Sequence, residues 1–270
     1  PQHLMKEDIP EGQLVDYLIA SASLPIFQLD KLDDKLYLDG FLSDNTPVGL
    51  LANKKYDDII VLRLSNDVTG DKNLKKYVDI NLTVIKPSMD LGGSLNKDKD
   101  HMEKLFKLGY MDVMKTYKRY DGVKYFFNVD FIYDENTCFD MITNLNIKTI
   151  QEICKILKIK REPSLRVLLE NIIPQIGDIL HLEKEFTYKD IFYSIYERIL
   201  EENNIDVLKL YDFSKVIDLV NSQIEPIDYD YDNNDNKHII SLNKKEKIEK
   251  AIINKILNDF KNQSLKKMPI

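Results

Sequence analysis

Hydrophobic positions fall into two rhythms along this chain, and the change between them sets the first expectation of its architecture. In the first part, short β-branched runs alternate with helical spacings. Residues Glu11 to Ser21 (EGQLVDYLIAS) follow Pro10 and carry an apolar face, which predicts a helix. Lys35 to Asp39 (KLYLD), Asp58 to Leu64 (DIIVLRL) and Ile80 to Lys86 (INLTVIK) predict three strands. The second of these is almost continuously apolar, the mark of a strand covered on both faces. From Asp98 to Tyr117 the residues Met102, Leu105, Phe106, Tyr110, Val113, Met114 and Tyr117 recur three and four apart, which predicts an amphipathic helix. Strands alternating with helices indicate a parallel α/β sheet.

From about Thr143 the rhythm is helical. The candidates are Ile147 to Leu157, Ser164 to Leu182, Tyr188 to Asn203, Val207 to Gln223 and Lys244 to Asn262. Pro174 lacks an amide hydrogen and is expected to kink or split the second, and Ser164 suits its N-cap. Asp228 to Lys237 (DYDYDNNDNK) is acidic and turn-rich, and reads as a mobile loop. The expected fold class is therefore α/β. Residues 1–120 would form a partial parallel sheet with flanking helices. Residues 121–270 would form a mainly helical C-terminal domain, a bundle or a lid packed on the first part.

The chain has 270 residues, enough for one large domain or two modest ones. It carries 45 acidic against 38 basic side chains, a net charge of −7. That balance argues against nucleic acid as the main partner, because phosphate neutralisation needs an excess of Lys and Arg. It leaves room for transient membrane contact through a local apolar or basic face. No apolar run reaches the ~18 residues a membrane-spanning helix needs. The first residue is Pro1, so the chain is expected to begin inside a longer protein, in the cytoplasm or peripheral at a membrane. Cys138 and Cys154 lie in apolar-patterned stretches and read as buried thiols.

The chemistry-bearing stretch is Ala20 to Val48 (ASASLPIFQLDKLDDKLYLDGFLSDNTPV). Its strand LYL ends at Asp39, and Gly40 permits a sharp turn or a close backbone approach. A carboxylate at the C-terminal end of an α/β strand points into the usual ligand crevice and, partly desolvated, can act as a general base. Asp-Gly after a strand is also the commonest hairpin signal, so the pair alone does not separate catalysis from turn chemistry.

The wider pattern resembles the patatin-like phospholipases, in particular their bacterial branch. Ala20-Ser21-Ala22-Ser23-Leu24-Pro25 is similar to the helix end that precedes the family's aspartate-bearing strand. Tyr37-Leu38-Asp39-Gly40 and Asn45-Thr46-Pro47-Val48 follow in the family's order. So do the strand DDIIVLRL, the segment PSMDLGGSL from Pro87 to Leu95, and LGYMD at Leu108 to Asp112. The resemblance covers residues 1–120. It implies a lipid acyl hydrolase of phospholipase A or lysophospholipase type, working through a serine–aspartate dyad without cofactor or metal. Asp39 would be the general base, with Gly40, Asn45 and Pro47 supporting the active-site turn.

Three departures bear on that expectation. Phe41 stands where the family carries Gly or Ala. The nucleophile motif Gly-x-Ser-x-Gly is absent: the look-alike Gly92-Gly93-Ser94-Leu95-Asn96 lacks the closing glycine and follows the aspartate instead of preceding it. The glycine-rich oxyanion segment is absent as well. The resemblance thus implies that nucleophile and oxyanion hole come from a missing N-terminal half of the domain, which this chain would need as a companion. The alternative is a catalytically inactive patatin-like scaffold or protein-binding module.

Other residues carry less. His3, His101, His181 and His238 have no partners at metal-ligand spacing, and His101 reads as a solvated residue at a helix start. The Asp228, Asp230, Asp232 series begins like a calcium loop but has Asn233 and Ile239 where glycine and glutamate belong. Asn81-Leu82-Thr83 matches a glycosylation sequon inside an expected strand. The aromatics Phe186, Tyr188, Phe192, Tyr193, Tyr196, Tyr211 and Phe213 are expected to build the helical core. The last helix, with Ile248, Ala251, Ile252, Ile256, Leu257 and Phe260 on one side, is expected to pack as a terminal helix. Its alternative is to lie on an anionic membrane.

Overall fold

The computed structural model describes residues 4–23, 31–32, 34–40, 46–64, 74, 76–93, 96, 98–129, 133–223 and 241–267. The protein is mixed α/β and mostly helical, and it divides into two compact units, residues 1–90 and 91–270.

In the first unit, helix α1 (Leu14–Ser21) is followed by strands β1 (Lys31–Leu32) and β2 (Lys35–Leu36), an antiparallel pair. Asp34 takes the left-handed backbone (φ 58°) in their tight connection, a conformation that aspartate tolerates better than most residues. The strand expected from Lys35 to Asp39 is thus shorter than its sequence pattern. Its partner offers two residues, and the Asp39 amide donates to the Ser23 carbonyl at 2.8 Å instead of extending the ladder. Helix α2 (Val48–Asn53) leads to β3 (Asp58–Leu62), which pairs in parallel with β4 (Asn81–Ile85), Asp58 opposite Asn81 and Leu62 opposite Ile85.

Strand β3 is covered on one face, not on two. Ile59 and Val61 are buried with Val48 and Leu74, and Tyr77, Leu82 and Val84 pack on the same cluster. Ile60 and Leu62 point the other way and are 58% and 71% exposed. The continuous apolar run of β3 predicts cover on both faces. The tertiary arrangement puts α2 and the crossover residues on one side only.

The second unit begins with helix α3 (Lys99–Thr116), whose cap Asp98 accepts from the His101 amide at 2.8 Å. Because α3 packs against strand β5 (Tyr120–Asp121), the boundary between units falls near residue 90 and not near 120. The helix is apolar on two sides. Leu108 and Met111 are buried, while of the stripe its spacing marks Met102, Phe106 (84%), Tyr110 and Tyr117 are exposed and Leu105, Val113 and Met114 half-buried. Strands β5, β6 (Phe126–Asn128) and β7 (Leu210–Tyr211) form a small sheet in that order, β5 antiparallel and β7 parallel to β6.

Around this sheet lie α4 (Glu135–Thr143), α5 (Ile147–Ile156), α6 (Leu165–Val167), α7 (Ile173–Ile179), α8 (Tyr188–Glu202), α9 (Phe213–Gln223) and α10 (Ser241–Lys267). Side-chain caps start four of them: Asp134, Asn146, Ser164 and Thr187, the last in a reciprocal capping box with Asp190. Pro174 splits its helix as expected. Leu168–Ile172 widens to a π turn before α7 opens with the proline in its first turn, where a missing amide costs nothing. The helix expected from Val207 starts instead at Phe213. Asp206 and Asp212 accept from the amides of Leu208 and Ser214, local turns that free Leu210 and Tyr211 to pair as β7.

The core of this unit is aromatic and continuous. Phe192, Tyr193, Tyr196, Phe213 and Phe260 are all 2% exposed or less, with Phe186, Tyr188 and Tyr211 packed at its edge. Helix α10 commits Ala251, Ile252, Ile253, Ile256, Leu257 and Phe260 to this core, so it packs as a terminal helix and its apolar face is not free for a membrane. Among the described residues no helix is long and apolar enough to cross a membrane.

Cys138 and Cys154 are both buried and unpaired with each other. Burial pushes the Cys138 thiol up to about 12 and raises Cys154 as well. Since the thiolate is the reactive form, neither cysteine is expected to react with iodoacetamide at pH 8 in the folded protein. Both should react fully in denaturant. Rapid native labelling of Cys138 would contradict the packing described.

Candidate functional site

Asp39 lies just past the β1–β2 hairpin, on a stretch that keeps a strand's alternation. Leu36 and Leu38 are exposed, whereas Tyr37 and Asp39 are half-buried on the opposite side. The Tyr37 ring meets Tyr17 of α1 edge-on at 6.0 Å. The Asp39 amide donates to the Ser23 carbonyl, and the Ser23 hydroxyl donates to the Ile19 carbonyl at 3.0 Å. These contacts tie the last turn of α1 to the aspartate. The alanine- and serine-rich segment and the Asp-Gly pair, apart in sequence, thus stand side by side.

The supporting residues are placed as follows. Gly40 is not in the left-handed region, and a Cβ there would meet nothing within 4 Å. Neither a left-handed backbone nor a close approach therefore requires glycine at this position. Pro47 precedes α2 with φ −76°, and Val48 next to it is buried against Ile59 and Val61. Pro47 thus fixes where α2 starts and how it meets β3. Asn45, Phe41 and Ser94 lie outside the described residues, as does the Asp228 to Lys237 loop.

In the same unit Leu14, Val15, Leu18 and Ile19 of α1 are exposed, as are Leu36 and Leu38 on the side of the stretch opposite Asp39. Only Ala20 of α1 is buried. A half-buried carboxylate can accept a proton from an alcohol brought in by another segment or by substrate. Among the described residues no group of three or more His, Cys, Asp and Glu stands together to hold a metal ion. His101 does not stand free in solvent: it is half-buried, with its ring over Gly92 (φ 73°) and its Nε2 atom buried.

Sequence reasoning missed a second concentration of charge, in the helical unit. Glu197 of α8 is 3% exposed. Its Oε1 accepts from the amides of Val123 (2.7 Å) and Tyr125 (3.2 Å), and its Oε2 from that of Lys124 (2.9 Å). Burial holds the Glu197 carboxyl above the usual carboxylate range, against the pull of these amides and of Lys115. Burial likewise lowers Lys115, whose ammonium donates to the Val123 carbonyl at 2.8 Å and stands over the Phe126 ring. Close by, Lys189 pairs with Asp121 at 2.7 Å. These groups clamp the β5–β6 turn to α8, and Gly122 (φ 99°) is required within it, because a Cβ would stand 2.5 Å from the Tyr125 carbonyl. The signal available in the sequence is Glu197 itself, a carboxylate on the apolar face of a helix among Tyr193, Tyr196 and Leu200. No family model matches the chain, and neither a curated protein nor a solved structure does.

Proposed function

We propose that this chain supplies the general base, Asp39, of a patatin-like lipid acyl hydrolase that works through a serine–aspartate dyad. The observation that carries the reading is the tie between Ser23 and Asp39, which joins two of the segments that resemble the family and leaves Asp39 half-buried. The parallel β3–β4 pair suits an α/β hydrolase sheet. The serine and the oxyanion donors would come from polypeptide outside these residues.

In this mechanism the serine oxygen attacks the ester carbonyl carbon of a phospholipid or related lipid while Asp39 takes its proton. That proton passes to the leaving alcohol, and water then releases the fatty acid from the acyl-serine, with Asp39 again as base. No step draws on a metal or cofactor. The exposed apolar side chains of α1 and β2 suit transient contact with a lipid surface, in the cytoplasm or peripheral at a membrane. A second reading, an inactive patatin-like scaffold or protein-binding module, is favoured by the exposed aromatic stripe of α3.

The test is hydrolysis of a phospholipid and a lysophospholipid by the natural full-length polypeptide and by its Asp39→Asn variant. Turnover is expected to fall about 10²–10⁴-fold, the usual contribution of a general base, with the thermal melt unchanged. Equal hydrolysis by both proteins would remove Asp39 from the mechanism. No hydrolysis by either would favour the scaffold.

A further inference from the structure

Two contacts attach the Asp39 stretch to α1, and their spacing along the two segments matches. At one end the Tyr17 ring meets the Tyr37 ring edge-on, centroids 6.0 Å apart, a geometry that aromatic pairs favour. At the other end the Asp39 amide donates to the Ser23 carbonyl at 2.8 Å. Ser23 is itself held: its amide donates to the Ala20 carbonyl at 3.2 Å and its hydroxyl to the Ile19 carbonyl at 3.0 Å. From Tyr17 to Ser23 a helical rise of ~1.5 Å per residue gives about 9 Å. From Tyr37 to Asp39 an extended rise of ~3.3 Å per residue gives about 7 Å. The near match lets both contacts form with the segments side by side, running in the same direction. Ala20, midway between Tyr17 and Ser23, is the buried residue of α1, while Leu14, Val15, Leu18 and Ile19 are exposed. Tyr37 and Asp39, two residues apart in extended chain, share one side of it, and both are half-buried.

We propose that Tyr17 is a positioning residue: through the Tyr37 ring it sets the direction in which the Asp39 carboxylate leaves the chain. The inference rests on Asp39 as the general base. The bond at the Asp39 amide fixes where that residue sits but leaves the stretch free to turn about it. The ring contact, two residues away on the side that Asp39 occupies, opposes that rotation. Proton transfer needs donor and acceptor within about 3 Å of each other. A base displaced by about 1 Å therefore loses turnover, while substrate binding is left as it was. Tyr17 touches no reacting atom in this scheme and acts only through Tyr37 and Asp39.

Lysophospholipid hydrolysis by the natural full-length polypeptide tests this, in the variants Tyr17→Ala, Tyr17→Phe, Asp39→Asn and the double variant Tyr17→Ala with Asp39→Asn. In Tyr17→Ala, kcat is expected to fall about ten- to a hundredfold while KM stays within about twofold. Tyr17→Phe keeps the ring and should keep the wild-type kcat. On the Asp39→Asn background, Tyr17→Ala should cost less than about twofold more, because no base is left for the ring to aim. Tyr17→Leu takes the place of the alanine variant should that one fail to fold. Wild-type kcat in Tyr17→Ala, beside the expected loss in Asp39→Asn, would overturn the inference and keep the base. So would an equal loss from Tyr17→Ala on both backgrounds, the mark of a smaller folded fraction, or a loss in Tyr17→Phe as deep as in Tyr17→Ala. Hydrolysis unaltered by Asp39→Asn would remove the base, and the inference with it.

Discussion

Replacing Glu197 with alanine is expected to cost the helical unit about 3–5 kcal/mol, the range for breaking a buried charge cluster from one side. Three backbone amides, those of Val123, Lys124 and Tyr125, converge on this one carboxylate. An amide left without an acceptor costs about 1–3 kcal/mol where water cannot replace it. Lys115, itself mostly buried, loses a nearby opposite charge in the same step. Glu197→Gln keeps the volume but turns a donor toward an amide, and should fall between the two proteins. Urea denaturation followed by circular dichroism gives the difference; a loss below about 1 kcal/mol for the alanine variant would mean that the clamp is dispensable.

The sign of the pH dependence follows from the same burial. The folded state holds the Glu197 proton to higher pH than the unfolded chain, whose carboxyl titrates near 4.5. Its contribution to stability is therefore complete below that value and is lost as pH rises through the folded pKa. The gap between wild type and Glu197→Ala is expected to widen as pH is lowered from neutral toward 4.5. A gap that narrows on acidification would reverse the assignment.

Phe192→Ala is expected to lower stability by about 3–5 kcal/mol, the sum of lost burial and the cavity left behind. The ring is fully buried and is shared by several elements. It stacks on Tyr133 at 5.2 Å, meets Tyr196 at 5.2 Å, Phe260 of α10 at 5.4 Å and Phe213 of α9 at 5.9 Å. No single neighbour can move in to fill the space without leaving its own contacts, because the same rings also pack on one another. Phe106→Ala is the matched control. Its ring is 84% exposed, so its loss should stay within about 0.5 kcal/mol. Similar losses in the two variants would contradict the division between core and surface.

Much of this division was legible from residue types and spacing. The helical stretches at Ile147 and the C-terminus each bury a stripe that recurs three and four apart, so their faces could be read before any neighbour was known, whereas the helix at Tyr188 buries Ile191 to Glu197 without a break. The break at Pro174 follows from a missing amide hydrogen, and the buried cysteines from their apolar surroundings. The candidate base was legible only as Asp39 within a series of weak motifs. The bond that links Asp39 to Ser23 joins segments separated by a hairpin, and no local pattern encodes it.

The amino-acid sequence by itself determined most of the long helical stretches, the Ser164 cap and the break at Pro174, and which side chains are apolar enough to need burial. Those are local properties, set by backbone sterics, missing or available donors, and periodicity. Only the tertiary structure decided which apolar face is used. Helix α3 rests on Leu108 and Met111 and leaves Phe106 outside, and β3 buries Ile59 and Val61 and leaves Ile60 and Leu62 bare. It also decided that Glu197, one glutamate among many, closes around three distant amides. The physical reason is the same in each case. Hydrophobic attraction has no direction, so an apolar stripe demands cover without naming it, whereas a hydrogen bond or a packed ring exists only once chain segments far apart in sequence have met.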